Sequence, residues 1–133
     1  MYMLDTNIII YAIRHPEAEL NDRIRSHLGK DLSISVITYG ELEYGICKSS
    51  NPEKNRTAVQ RFLAGIRILN LDMSAAEHFG DIIADLEKKR QRIGDRDMLI
   101  AAHARSRGDT VVTNNTREFS RVKGLAIEDW LVS

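Results

Sequence analysis

"MYMLDTNIII" (residues 1–10) sets one carboxylate, Asp5, between two apolar runs. The run before it predicts a strand over residues 2–4, and the run after it predicts a helix over 6–13. An unpaired charge in such a place is costly, so Asp5 must be paired, cap the helix or bind a metal. A strand that passes directly into a helix is typical of α/β folds.

The rest of the chain repeats this alternation. Further strands are predicted over 32–37, 66–71, 109–113 and 125–127. Helices are predicted over 16–28, 38–49, 52–65, 74–90 and 97–108, with Asn51 capping the third and a Ser74–Glu77 capping box starting the fourth. We therefore expect a short, mainly parallel sheet of four or five strands, covered by helices on both faces, in a single domain over residues 1–133.

Composition narrows the class of protein. A chain of 133 residues with 43% hydrophobic and 29% charged residues is typical of a folded globular domain rather than a disordered one. No apolar run reaches the ~20 residues that span a bilayer, and the start has no signal-peptide pattern. Cys47 is the single cysteine, which excludes an internal disulfide. These features predict a cytoplasmic protein without a membrane partner.

Acidic and amide side chains recur where the predicted strands and helices meet. Asp5 ends the first strand, Asn114 and Asn115 follow the strand at 109–113, Asp97 starts a buried helix, and Glu41 lies near the start of another. The carboxyl ends of parallel strands form the usual ligand site of such sheets, so these groups are expected to converge. Taken singly, the two aspartates could be helix caps and Glu41 a surface residue.

Gathered carboxylates repel one another and need a counter-charge, which a hard divalent cation supplies. Such a cation can lower the pKa of water and polarise a phosphodiester. The chain has no phosphate-binding P-loop, no nucleophile elbow and no histidine or cysteine metal motif that would indicate another chemistry. His103, on a helix that is apolar nearly all round, is expected to be a packed core residue.

The residues resemble PIN-domain ribonucleases, and within that family the VapC toxins of bacterial toxin–antitoxin pairs. The resemblance covers nearly the whole chain and rests on four segments in this order: "MLDTNIIIY", "ISVITYGELEYGICKSSNPEKN", "DMLIAAHARSRG" and "VVTNNTREFSRVKGLAIEDW". It implies a PIN-like three-layer α/β/α sandwich. It also implies endoribonuclease activity that depends on Mg²⁺, with Mn²⁺ as the alternative ion.

The resemblance assigns roles to three acids of this chain. Asp5 and Asp97 match the metal ligands, and Glu41 matches the acid that holds or deprotonates the attacking water. Glu43 is two residues from Glu41, on the opposite face of a helix, and Asp95 does not fit the "D.LIA" pattern. Hydrogen-bond partners of the acids are expected at Thr6, Asn7 and Thr113.

One position departs from the family. Many PIN domains have another acid after the last core strand, where this chain has Asn115. An amide brings no charge, so we expect Asn115 to support the site through its carbonyl and Glu118 to substitute in part. One firmly bound metal is then expected at rest.

The resemblance further implies a toxin of a type II toxin–antitoxin pair that cleaves structured RNA, above all the tRNA anticodon arm, and so inhibits translation. It implies a VapB-type antitoxin as partner, a homodimer and a hetero-oligomer with the antitoxin. Residues 1–87 have a net charge of −4 and residues 88–123 of +6, so the RNA contacts are expected in the second range. The candidates are Arg90, Arg92, Arg96, Arg105, Arg107 and Arg117.

The residues leave three other functions open. A non-catalytic RNA- or protein-binding module is favoured by Asn115. A HAD-type phosphohydrolase would need a second aspartate where the chain has Asn7, and a receiver-like signalling domain would need a lysine after its last strand.

Overall fold

The computed structural model describes residues 1–131, and residues 132 and 133 of the predicted domain lie outside the described part. A five-stranded sheet has the order β3-β2-β1-β4-β5, with every neighbouring pair parallel. The strands are β1 (Tyr2–Leu4), β2 (Leu32–Ser35), β3 (Arg67–Leu69), β4 (Thr110–Val112) and β5 (Ala126–Glu128). The helices are α1 (Thr6–Arg14), α2 (Glu19–His27), α3 (Val36–Lys48), α4 (Pro52–Leu63), α5 (Met73–Lys88), α6 (Asp95–Arg107) and α7 (Thr116–Phe119).

The central strands supply both faces of the sheet with apolar side chains. Leu4 and Val112 belong to the core that packs under α1, α2 and α4, whereas Met3 and Val111 belong to the core under α5, α6 and α7. Successive strand residues point to opposite faces, so two adjacent apolar residues per strand serve two cores. This confirms the predicted three-layer α/β/α sandwich.

Several predicted boundaries were wrong because another residue caps the helix. The Asp72 carboxylate accepts from the Ala75 backbone N–H at 2.9 Å, so α5 begins at Met73 and the Ser74–Glu77 pattern lies inside it. The Ser35 hydroxyl accepts from the Ile37 N–H at 3.1 Å, so α3 begins at Val36. The last two residues of the strand predicted over 32–37 therefore belong to this helix.

Other boundaries moved for local reasons. Residues 16–18 form a turn closed by the bond from the Ala18 N–H to the His15 carbonyl, so α2 begins at Glu19. Gly94 stands at the start of α6, which therefore begins two residues before Asp97. The four-residue α7 is too short for a sequence period and was not predicted. The Asn51 cap is confirmed by its 3.2 Å bond from the Lys54 N–H.

Candidate active site

Asp5 lies at the carboxyl end of β1, in the middle of the sheet, and is only 4% exposed. Its Oδ1 accepts from the Asn7 backbone N–H at 2.6 Å, and its Oδ2 accepts from the Thr113 hydroxyl at 2.5 Å. Burial raises the pKa of Asp5, Glu41 raises it further, and these two hydrogen bonds oppose the rise. Asp5 therefore caps α1 and at the same time presents a carboxylate at the edge of the sheet where a ligand is expected.

Glu41 is in the second turn of α3, and both of its oxygens have partners. Oε1 accepts from the Thr6 hydroxyl at 2.5 Å, and Oε2 accepts from Arg96 Nε at 2.9 Å. The Glu41 side chain is 20% exposed and the Arg96 side chain 69% exposed. The pair thus sits at the rim, with the guanidinium reaching into solvent.

Asp97 lies in the first turn of α6. Among residues 1–131 no side-chain or backbone donor is hydrogen-bonded to its carboxylate. Burial raises the pKa of Asp97 to about 6, and the charges of Asp5, Glu41 and Glu118 add to the rise while Arg96 lowers it. The structure therefore gathers these acids closely enough for the charge of each to raise the pKa of Asp97.

Thr113 and Asn115 link the end of β4 to Asp5. The Thr113 hydroxyl is fully buried and accepts from the Asn115 N–H at 2.9 Å while it donates to Asp5. Asn115 precedes α7 without a side-chain cap bond, and Asn7 is exposed beside Asp5. Thr6, Asn7 and Thr113 bond the acids directly, Asn7 through its backbone N–H, and Glu118 is close enough for its charge to raise the pKa of Asp97. Asn115 bonds only Thr113, through its backbone N–H and not through the side-chain carbonyl expected from the sequence.

Glu43 and Asp95, the two acids that do not fit the family pattern, pair with arginines. Glu43 forms a two-pronged ion pair with Arg56 on α4, at 2.8 and 2.7 Å. Asp95 accepts from Arg92 at 2.7 Å and is exposed. His103, as expected, is packed and only 2% exposed, with its Nδ1 2.8 Å from the Ser35 hydroxyl.

The six candidate arginines are not all at this site. Arg96 contacts Glu41, and Arg117 belongs to α7 beside Glu118. Arg92 is held by Glu87 and Asp95, while Arg90 is in the turn that follows α5.

The remaining two arginines serve the scaffold. Arg105 is mostly buried and bonds Asp81 and His78 of α5. Arg107 pairs with Asp109 just before β4, at the amino edge of the sheet and hence opposite the acids. Neither is brought to the acid cluster.

Three residues of the site region were missed in the sequence. A groove between α1 and α3 adjoins Thr6, Glu41 and Arg96, and its lining includes Arg14, Tyr44 and Lys48. The two cations lie in the net acidic range 1–87, so the charge sums concealed them. The spacing Glu41–Tyr44–Lys48, with steps of three and four, was the available signal, because such residues share a helix face.

The acids have the chemistry of a divalent-cation site. No three acid, histidine or cysteine side chains in the described chain already lie close enough to hold a metal ion directly. Some hard divalent cations take only one or two carboxylates directly and keep several waters, so three direct ligands are not required. Burial is the main cause of the raised pKa of Asp97, and the negative charges of Asp5, Glu41 and Glu118 add to it. Asp5 follows β1 and Asp97 belongs to α6, so the two carboxylates approach from different elements.

Comparison with known proteins finds matches over almost the whole chain. The family model described as PIN domain matches residues 2–125. A curated protein of Shigella flexneri, "tRNA(fMet)-specific endonuclease VapC", is 46% identical over 129 residues, 97% of each chain. "Ribonuclease VapC2" of Haemophilus influenzae is 46% identical over 130 residues, 98% of each chain.

A solved structure has a fold very similar to that of this chain. The crystal structure of DNA-bound VapBC from Salmonella typhimurium contains a chain that superposes with a TM-score of 0.92 at 43% identity, covering 97% of each chain. The similarity in sequence and the similarity in fold therefore both extend over almost the whole chain.

Proposed function

Because the chain belongs to the PIN-domain family, among its VapC ribonucleases, we propose that it is the toxin of a type II toxin–antitoxin pair that cleaves structured RNA and so inhibits translation. The observation that carries the proposal is the gathering of Asp5, Glu41 and Asp97 at the carboxyl edge of the sheet, with Asp97 left without a hydrogen-bond donor among residues 1–131. A site of this charge repels RNA unless a cation is present.

We assign the cation to Asp5 and Asp97, as Mg²⁺ with Mn²⁺ as the alternative. A bound divalent cation supplies Lewis acidity, which polarises a phosphodiester and lowers the pKa of water. Thr113 and the Asn7 N–H hold the Asp5 carboxylate in one orientation, so both of its oxygens have a defined direction. Asn115 contributes by its backbone, which holds the Thr113 hydroxyl.

Glu41 is the proton acceptor for the attacking water. Its Oε1 accepts from the Thr6 hydroxyl and its Oε2 accepts from Arg96 Nε, so both oxygens are held in a fixed direction. Arg96 also has an exposed guanidinium that can meet the phosphate of the substrate. Attack by water leaves a 5′-phosphate and a 3′-hydroxyl.

We propose tRNA, cut in the anticodon arm, as the substrate. The Shigella flexneri relative is named a tRNA(fMet)-specific endonuclease, which supports this choice. Exposed loops are the parts of folded RNA that proteins read by sequence. We propose that the toxin acts in the cytoplasm, because tRNA is there.

A VapB-type antitoxin is the proposed partner. The Salmonella typhimurium structure is a VapBC complex bound to DNA, which supports a hetero-oligomer of this kind. We further propose a homodimer, since a second copy would extend the surface that grips RNA.

Cleavage of purified total tRNA tests the function. We expect discrete cuts with Mg²⁺, none with EDTA, and none with Asp5→Asn, and the fragments should have 5′-phosphate ends. Glu43→Gln is the matched control, because Glu43 is paired with Arg56 away from the acids.

Two results would contradict the proposal. Fragments with 2′,3′-cyclic phosphate ends would exclude attack by water. RNA that is bound but stays intact with either metal would identify the chain as a non-catalytic RNA-binding module, which Asn115 in place of the family acid would then explain.

A further inference from the structure

The groove between α1 and α3, here called the α1–α3 groove, continues from the acid cluster along one side of α3. The lining residues that matter are Asn7, Arg14, Glu41, Tyr44, Lys48 and Arg96. Asn7, Glu41 and Arg96 also belong to the acid site or contact it, so a molecule in the groove would reach the acid cluster at Glu41.

Helix geometry brings the key side chains to one face. Glu41, Tyr44 and Lys48 follow one another at steps of three and four, so they share a face of α3. Tyr44 is about 4.5 Å along the helix axis from Glu41, at a rise of ~1.5 Å per residue. Tyr44 and the proposed proton acceptor therefore lie about one turn apart on α3.

Tyr44 is 63% exposed although its ring is a large apolar surface. The Lys48 ammonium lies over the Tyr44 ring, with its Nζ 4.8 Å from the ring centre. An exposed aromatic ring bordered by cations is the combination that binds single-stranded nucleic acid, since a base stacks on the ring and phosphates meet the cations.

The charge of the groove selects between classes of partner. The lining contains three cations, which are Arg14, Lys48 and Arg96. Its one acid is Glu41, which is already paired with Arg96. A polyanion is favoured by this balance, whereas a basic peptide would meet three cations of its own sign.

We propose that the α1–α3 groove binds an unpaired nucleotide adjacent to the scissile phosphate, with its base stacked on Tyr44 and its phosphates on Lys48 and Arg14. The proposal rests on the nuclease function proposed above and adds to it the part of the chain that grips the RNA. The stacking does not select a base, because every base has a flat face.

The test compares two fluorescent probes of equal length: oligouridylate and the corresponding abasic ribose-phosphate oligomer. Binding is measured by anisotropy in the Asp5→Asn background, which prevents cleavage. The wild-type groove should bind oligouridylate about tenfold more tightly than the abasic probe. Tyr44→Ala should abolish this preference, and Tyr44→Phe should retain it.

Two further variants separate the base from the phosphates. Lys48→Gln should weaken both probes alike and reduce the salt slope of binding by about 0.7. Tyr39→Ala is the matched control, because Tyr39 is 40% exposed on the same helix but lines a different depression, beside Glu43 and Arg56. It should leave both affinities unchanged.

The proposal is overturned if the groove shows no preference for oligouridylate, or if Tyr44→Ala retains that preference. The second result would make a protein partner the occupant to test. These failures are distinct from failure of the nuclease function, because tRNA cleavage by the unaltered chain is measured separately. Loss of tRNA cleavage with the base preference intact would contradict only the nuclease function.

Discussion

Arg96 donates from Nε to Oε2 of Glu41 at 2.9 Å, so a cation of the chain itself neutralises one carboxylate of the acid cluster. The two residues are 55 positions apart, one on α3 and one on α6. The pairing raises the pKa of Arg96, and the charge of Arg96 lowers the pKa of Asp97. Arg96 thus takes part of the role of a divalent cation.

Removing this internal cation should strengthen metal binding. In Arg96→Gln, a divalent cation no longer competes with a guanidinium, so we expect Mn²⁺ to bind about two- to fivefold more tightly, as expected for one exposed charge. Titration followed by electron paramagnetic resonance measures this affinity. Arg92→Gln is the control, since Arg92 pairs with Glu87 and Asp95. Equal Mn²⁺ affinity in Arg96→Gln and the unaltered chain would exclude the competition.

The hydroxyl of Thr113 should stabilise the fold through Asp5. Thr113→Val keeps the shape but removes the donor to a carboxylate that is 4% exposed, at a cost of about 1–3 kcal/mol. It should also raise the pKa of Asp5, because this bond favours the ionised form. Urea unfolding at pH 8 measures the loss of free energy.

The loss from Thr113→Val should shrink at acidic pH, where Asp5 is protonated and needs the bond less. Thr110→Val is the control and should have little effect, because Thr110 lies at the start of β4 whereas Thr113 follows the end of that strand. A loss from Thr113→Val that does not change with pH would mean that the hydroxyl acts by accepting from the Asn115 N–H and not by donating to Asp5.

Asp97 should make the metal-free chain less stable as pH rises. Its pKa is raised from 3.8 to about 6 in the folded chain, so the charged form is penalised by folding. The penalty is absent below about pH 4, where both states are protonated, and complete above about pH 6. Asp97→Asn should therefore match the unaltered chain at pH 4 and be more stable by about 1–2 kcal/mol at pH 7, after allowance for partial solvation.

Urea unfolding in EDTA across this pH range measures the difference between the two proteins. Subtracting the free energy of unfolding of one protein from that of the other cancels the contributions of groups common to both. His103 is one such group, because its lowered pKa destabilises the fold as pH falls below its ordinary 6.5. Asp95→Asn is the control, because Asp95 is exposed and paired with Arg92. If the Asp97→Asn difference is constant with pH, Asp97 does not carry the proposed excess charge.

Gly45 should tolerate a methyl group. It lies inside α3, and an added Cβ would meet no heavy atom within 4 Å. Gly45→Ala should stabilise the chain by about 0.5–1 kcal/mol, because glycine is a poor helix former. Gly124→Ala should have the opposite effect, since Gly124 has φ +79°. Thermal unfolding compares the two, and a lower melting temperature for Gly45→Ala would contradict the prediction.

Much of the scaffold could be predicted from the chain alone. Apolar runs alternate with helical periods, and adjacent apolar pairs such as Met3–Leu4 and Val111–Val112 require a sheet covered on both faces. Boundaries were less predictable because neighbouring residues compete for one cap: Asp72 and Ser74 are both good caps, and only the bond to Ala75 distinguishes them.

The candidate acids were also accessible from sequence, because parallel strands bring their carboxyl ends to one edge. Sequence alone thus determined the α/β alternation and the family, and it singled out the candidate acids that the structure brings together. The tertiary structure decided their partners: Thr113 reaches Asp5 across 108 residues, and Arg96 reaches Glu41 across 55. In the tertiary structure Arg105 and Arg107 form ion pairs within the scaffold, whereas Lys48 lines the groove. Such pairings depend on the distance and direction of side chains from separate elements, which no local pattern encodes.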